Sequence, residues 1–180
     1  MNAPLTRRAT LGAGVLLAAS PALAFPDQPV RIVVPWNAGG ATDIVTRALA
    51  SAMAPILGQP AVVDNRPGAN GAVGAQFVAA ARPDGHTLFV ASAETHSVNP
   101  LLYSRLTYDP VADFAPITVF ARGPFALAVR GGLGAVTLDA FLALARSRPG
   151  ALTYASWGIG STSHLAMARL TQQAGLDLLH

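Results

Sequence analysis

The stretch VRIVVPWNAGGATDIVTRALA, residues 30–50, decides the fold. Val30 to Val34 is a short, β-branched run of the kind that parallel sheets bury on both faces. Pro35 and the pair Gly39-Gly40 end it. Thr42-Asp43 then opens a helix in which Ile44, Val45, Ala48, Leu49, Ala52 and Met53 recur at helical spacing, until Gly58 stops it near Leu57. A helix that begins directly after such a turn leaves its first N–H groups unpaired and its positive dipole end open. A carboxylate or phosphate is stabilised there without help from Lys or Arg.

The same rhythm continues downstream. Ala61 to Val63 reads as a second strand, Asn65-Arg66-Pro67-Gly68 as a turn, Gly71 to Ala81 as a small-residue helix ended by Pro83-Asp84-Gly85, and Thr87 to Ala91 as a third strand. This β-α-β-α-β order predicts an α/β fold with a mostly parallel sheet covered on both faces. Beyond Ser92 the pattern loosens through the Asn99-Pro100 and Asp109-Pro110 turns, with a short helix expected near Leu101 to Ser104. Ile117 to Ala121 and Phe125 to Val129 are two strand-like runs split by Gly123-Pro124, where the chain is expected to cross between lobes. A helix from Leu138 to Arg146 capped by Thr137, a strand at Leu152 to Ala155 and a helix from Ser163 to Ala174 complete the reading.

Before the first strand, residues 1–24 read as an export leader. Arg7-Arg8 supplies the basic start, Leu11 to Ala19 a short apolar stretch, and Ala22-Leu23-Ala24 a small-residue cleavage site, so cleavage is expected after Ala24. Thr6 to Leu11 also approximates a twin-arginine signal. The apolar stretch is shorter than the roughly 20 residues that span a bilayer. With Arg7 and Arg8 set aside, ten arginines face nine acids, a balance of +1, and there is no Lys. Scattered single arginines of this kind argue against nucleic acid as a partner. The chain has no Cys, which removes disulfides, thiolate metal sites and a Cys nucleophile. His86, His96, His164 and His180 form no i, i+4 pair, so no metal site is expected.

A second loop repeats the logic of the first. In Ser156-Trp157-Gly158-Ile159-Gly160-Ser161-Thr162-Ser163-His164, a strand again feeds glycines into a helix start. Gly turns and Thr, Ser or Asp caps also occur at helix starts that bind nothing, because the side chain satisfies the donors itself. Trp36 and Trp157 either wall a cleft or fill the core beneath their loops. Gly68 to Gly74 does not match the dinucleotide fingerprint, and Gly160-Ser161-Thr162 does not match the nucleophile elbow. Ser161 or Ser163 with His164 remains the residue set for an alternative, a secreted serine hydrolase.

Taken together, the ordered motifs resemble those of the substrate-binding receptors of tripartite tricarboxylate transporters, the Bug-type periplasmic proteins. They run from Pro26-Asp27-Gln28-Pro29 through Val34-Pro35, Gly39-Gly40-Ala41-Thr42-Asp43, Asn65-Arg66-Pro67-Gly68-Ala69, Pro83-Asp84-Gly85, Asn99-Pro100, Tyr108-Asp109-Pro110 and Asp113-Phe114-Ala115-Pro116. Pro149-Gly150, Tyr154-Ala155-Ser156 and His164-Leu165-Ala166 continue them. The resemblance implies a two-lobed type II periplasmic binding protein, with 25–122 in lobe 1, 123–180 as a partial lobe 2, and the second lobe incomplete. It implies a monomer that closes on a small organic carboxylate and delivers it to membrane transporter subunits, with no catalysis and no cofactor. Carried over by position, the ligand-binding residues are Trp36, Asn37, Ala38, Gly39, Gly40, Thr42 and Asp43 on one side and Ser161, Thr162, Ser163 and His164 on the other. Ser92, Thr95 and His96 are further candidates for the cleft wall. Family members have Phe or Tyr followed by a small residue where this chain has Trp36-Asn37, which points to a difference in ligand size or polarity. Members also continue past the position of His180, so the chain is expected to be a fragment of a receptor or a truncated, non-functional remnant.

Overall fold

The computed structural model describes residues 25–180; the expected leader and its cleavage site lie outside the described residues. Three parallel strands form the sheet: β1 (Val30–Val34), β2 (Ala61–Asn65) and β3 (Thr87–Phe89), in the order β2-β1-β3. Val30 pairs with Ala61 and Val34 with Asn65, while Arg31 pairs with Thr87 and Val33 with Phe89. The helices between them are α1 (Ala41–Leu57) and α2 (Ala72–Ala79). The α/β fold with a parallel sheet is as the sequence predicts.

The pleat of β1 separates the two faces. Ile32 and Val34 are buried with Ala50 of α1 and Val90, against which Trp36, Met53, Ala61, Val63 and Leu88 pack. On the opposite face Pro35 lies against Gly74 of α2, and the Arg31 guanidinium sits over the Phe77 ring. The chain therefore winds one way from β1 to β2 and the other way from β2 to β3, with one helix on each face. That reversal makes a topological switch point between β1 and β3, outside whose carboxyl ends ligands bind in open α/β sheets.

Helix α1 turns a different face inward from the one its apolar spacing suggests. Asp43, Thr46 and Ala50 are buried, while Ile44 and Val45 are exposed. Burial of the polar pair is possible because both are satisfied: Thr46 Oγ1 donates to the Thr42 carbonyl, and Asp43 has three partners described below. Gly58 ends the helix in the left-handed region, as expected.

After β3 a π-helical turn (Glu94–Val98) runs into a short helix, α3 (Asn99–Leu102), which starts ahead of the position the sequence suggests. The two strand-like runs at 117–121 and 125–129 form no strand among the described residues, and Ile117, Val119, Phe125 and Leu127 are exposed. β propensity without a neighbouring strand to complete the hydrogen-bond ladder leaves such a run extended but unpaired. Helices α4 (Leu138–Ser147) and α5 (Thr162–Ala174) follow. Thr137 caps α4 by accepting from the Ala140 N–H, as expected. The strand expected at Leu152 to Ala155 is reduced to one parallel bridge, Thr153 with Leu179, for the same lack of partners. A groove of about 760 Å³ opens between Phe125–Val129, α4, α5 and Leu178. Among the described residues no helix is long and apolar enough to cross a membrane.

Candidate functional site

The loop after β1 sits at the switch point. Pro35 is fully buried, Trp36 packs into the sheet core, and Asn37, Ala38, Gly39 and Gly40 are exposed. Asp43 folds back across this loop. One carboxylate oxygen accepts from the Gly39 N–H and from Arg47 Nε, both at 2.9 Å, and the other accepts from Asn65 Nδ2 at 2.9 Å. Asn65 Nδ2 also donates to the Trp36 carbonyl, so the end of β2 pins the loop to the helix start. The Arg47 contact first, then the Gly39 and Asn65 hydrogen bonds, hold the Asp43 carboxyl at about 2, below its ordinary 3.8. Asp43 is thus a charged brace for the loop.

With Gly40 as N-cap, no side chain serves the first turn of α1. The N–H groups of Ala41, Thr42 and Asp43 find no hydrogen-bond partner among the described residues. This amino end is open to an anion. Ala41, which sequence reasoning omitted, is the first helical residue and contributes one of the three donors.

The loop after β3 carries a buried network. Thr95 is fully buried; its hydroxyl accepts from the Ser92 N–H and lies 2.9 Å from His96 Nδ1. The His96 ring stacks with Phe89 and meets Phe114 edge-on, and burial pushes its pKa down. Tyr108 Oη donates to the Thr95 carbonyl at 2.6 Å and accepts from Asn99 Nδ2 at 3.3 Å. Asn99 also donates to the Asn70 carbonyl at 3.0 Å, and its own Oδ1 accepts from Asn70 Nδ2 at 2.9 Å. Asn70 occupies the left-handed region at φ 52, next to Ala69 at φ 46, and its reciprocal bonds with Asn99 hold it there. Gly71 follows at φ 84, where a Cβ would come within 2.6 Å of Thr95 Cγ2. That close approach seats the β2–α2 turn on the β3 loop.

These same residues meet the second expected loop. Asn70 Nδ2 donates to the Gly160 carbonyl at 3.3 Å. Glu94, 4 % exposed, accepts from the Thr162 N–H at 3.0 Å and from the Thr162 hydroxyl. Burial pushes the Glu94 carboxyl up, but the Thr162 hydrogen bonds, together with smaller ones from its own N–H and Ser92, outweigh it, and the net shift is below the ordinary value. Ser161, also buried, caps α5 by accepting from the His164 N–H at 3.2 Å. Ser163 Oγ accepts from the Trp157 N–H, and His164 Nδ1 accepts from the Gly160 N–H at 3.3 Å. Trp157 is 73 % exposed and leans on Phe125.

Glu94 and Asn70 reach the 160–162 loop, whereas Ser92, Thr95 and His96, beside Glu94 in sequence, make no hydrogen bond to it among the described residues. The Trp36–Asp43 group stays on its own side of the switch point, braced by Asn65 and Arg47, with no hydrogen bond to the 156–164 loop among the described residues. Sequence reasoning missed Glu94, Asn70, Asn99 and Asn65. Asn65 and Asn99 stood inside quoted turn motifs and Asn70 inside the Gly68 to Gly74 stretch, whereas nothing local marked Glu94. The His164 ring makes no hydrogen bond to Ser161 or Ser163 among the described residues, so no nucleophile and base are assembled there.

Residues 45–180 match the family model described as the tripartite tricarboxylate transporter family receptor. The chain belongs to that family. A UPF0065 protein of Bordetella pertussis is 38% identical over 180 residues, covering 98% of this chain and 54% of that protein. Two solved structures from Rhodopseudomonas palustris are similar: one with adipate (TM-score 0.82, 35% identity, 86% of this chain and 52% of that one) and MatC with bound malate (TM-score 0.75, 36% identity, 86% and 53%). The chain spans about half the length of the curated relatives it matches. At these identities the likeness extends beyond fold to the family's periplasmic binding-protein architecture.

Proposed function

We propose that this chain supplies the ligand-gripping part of a periplasmic receptor that captures a small organic carboxylate. It hands the ligand to the membrane subunits of a tripartite tricarboxylate-type transporter and performs no chemistry. In this reading residues 25–122 belong to one lobe and 123–180 to part of a second, and the receptor works as a monomer without a cofactor. The observation that carries it is the amino end of α1. Three N–H groups without partners among the described residues stand at the carboxyl end of the central strand, on a loop braced by Asp43, Asn65 and Arg47. Support comes from relatives that hold adipate and malate in their structures.

Ala41→Pro tests the site. Gly40 is extended at φ −75 and ψ 166, a conformation that suits the residue before proline, and proline is tolerated at a first helical position. The substitution removes one donor and keeps the helix. A charge-assisted hydrogen bond contributes about 1.5–3 kcal/mol, so carboxylate affinity should fall by about tenfold or more while the melting temperature holds. Calorimetric titration with citrate, dicarboxylates and acidic amino acids reads the affinity, and a thermal melt reads the stability. A chain that binds no acid refutes the carboxylate reading, and an Ala41→Pro chain that binds as tightly as the wild type removes the site from α1.

A further inference from the structure

The sheet with its helices α1 and α2, and the pair α4 and α5, are joined by very little. Helices α4 and α5 are tied to each other by Arg146, whose guanidinium donates to the Ala174 carbonyl. Neither of them packs extensively on β1–β3, α1, α2 or α3. The connecting residues 117–129 are exposed and make no backbone hydrogen bond among the described residues. What seats the α4–α5 part is a small cluster at the start of α5. Glu94, on the π-helical turn after β3, accepts from the N–H and the hydroxyl of Thr162, and Asn70 Nδ2 donates to the Gly160 carbonyl. Leu102 lies so close to Gly160, which stands at φ 82, that a Cβ there would overlap it.

The chief contact of this joint is polar. Glu94 is buried, and no Arg or His lies within ion-pair distance of its carboxylate among the described residues. Its desolvation is set against the Thr162 donors and the amino end of a 13-residue helix, opposing terms that leave a small balance. Such a contact opens more readily than an apolar one, because a released carboxylate regains its water. We propose that the Glu94–Thr162 contact is a latch. It holds the α4–α5 part against the loop after β3, and on release that part swings about 117–129 while its helices stay folded. The latch does not depend on what the chain binds, so it and the carboxylate reading stand or fall separately.

The chain has no Cys, so Ser51→Cys on α1 and Ser147→Cys on α4, both at exposed positions, carry one spin label on each side of the joint. Pulsed electron paramagnetic resonance on the full chain should give one narrow distance distribution. In Glu94→Ala the population outside the main peak should rise about tenfold, as loss of a charge-assisted hydrogen bond implies. Thr162→Val, which removes only the hydroxyl, should raise it about threefold and keeps the test in hand if the alanine variant unfolds. Circular dichroism should show the helices intact as the distribution widens. A distribution that stays narrow in both substituted chains overturns the latch, as does one already broad with Glu94 and Thr162 in place. Loss of helix in both variants overturns it too, since the contact then belongs to the fold and not to a joint.

Discussion

Replacing Asn99 with alanine should be among the most destabilising single changes in the chain. Asn99 is fully buried, and its side chain makes three hydrogen bonds: to the Asn70 carbonyl, to Tyr108 Oη and from Asn70 Nδ2. Truncation leaves the Asn70 carbonyl without its donor and takes from Asn70 the partner that holds it at φ 52. A buried polar group left unsatisfied costs about 1–3 kcal/mol, and the vacated volume adds about 1 kcal/mol. The expected loss is about 3 kcal/mol, which for a chain of this size lowers the melting temperature by about 6–12 °C. A double-mutant cycle with Asn70→Gly isolates the pair, since glycine removes the side chain but keeps the left-handed backbone at no steric cost. Thermal and urea unfolding followed by circular dichroism should show a coupling of about 1–2 kcal/mol. A loss below about 1 kcal/mol, or two effects that add to within about 0.5 kcal/mol, refutes the reading of Asn99 as the centre of this network.

Three further outcomes follow from the same structure. Gly71→Ala forces a Cβ to 2.6 Å from Thr95 Cγ2 at φ 84, and should cost about 2–4 kcal/mol in urea unfolding, well above the ordinary Gly-to-Ala change. Asp43 has its carboxyl depressed to about 2, so its contribution is complete above its ordinary 3.8 and is lost as pH falls toward 2; melting temperatures across that range should decline less steeply in Asp43→Asn than in the wild type. Thr137→Ala removes the cap of α4 and should lower stability by about 1 kcal/mol with an unchanged urea m-value, while Thr137→Ser should restore it.

What the sequence disclosed and what it withheld divide along the distance between interacting residues. The elements β1 and α1, the stop at Gly58 and the cap at Thr137 are written in neighbouring residues, and each appears where local pattern places it. The face of α1 is not local. Ile44 and Val45 carry the apolar signal, but Asp43 and Thr46 are buried because Asn65 and the Thr42 carbonyl satisfy them. The runs at 117–121 and 125–129 show the opposite failure: strand chemistry is present, but a strand exists only when another lies beside it. Glu94 is the extreme case. Its partner Thr162 is 68 residues away, and an isolated acid in Ser-Ala-Glu-Thr-His carries no periodic or motif signal.

The order β2-β1-β3 also dictates an order of events during synthesis. The first strand to be made is the one that ends in the middle, and each of its edges waits for a partner that emerges later. Until Thr87–Phe89 leaves the ribosome, VRIVV presents an open, apolar, β-prone edge. Arrival of β3 closes that edge, and because Arg31 pairs with Thr87 across the whole β1-α1-β2-α2 segment, the closure must meet the entropy cost of a long loop. A chain halted before residue 87 would thus carry this aggregation-prone segment unshielded on one side, whatever helices it had already formed.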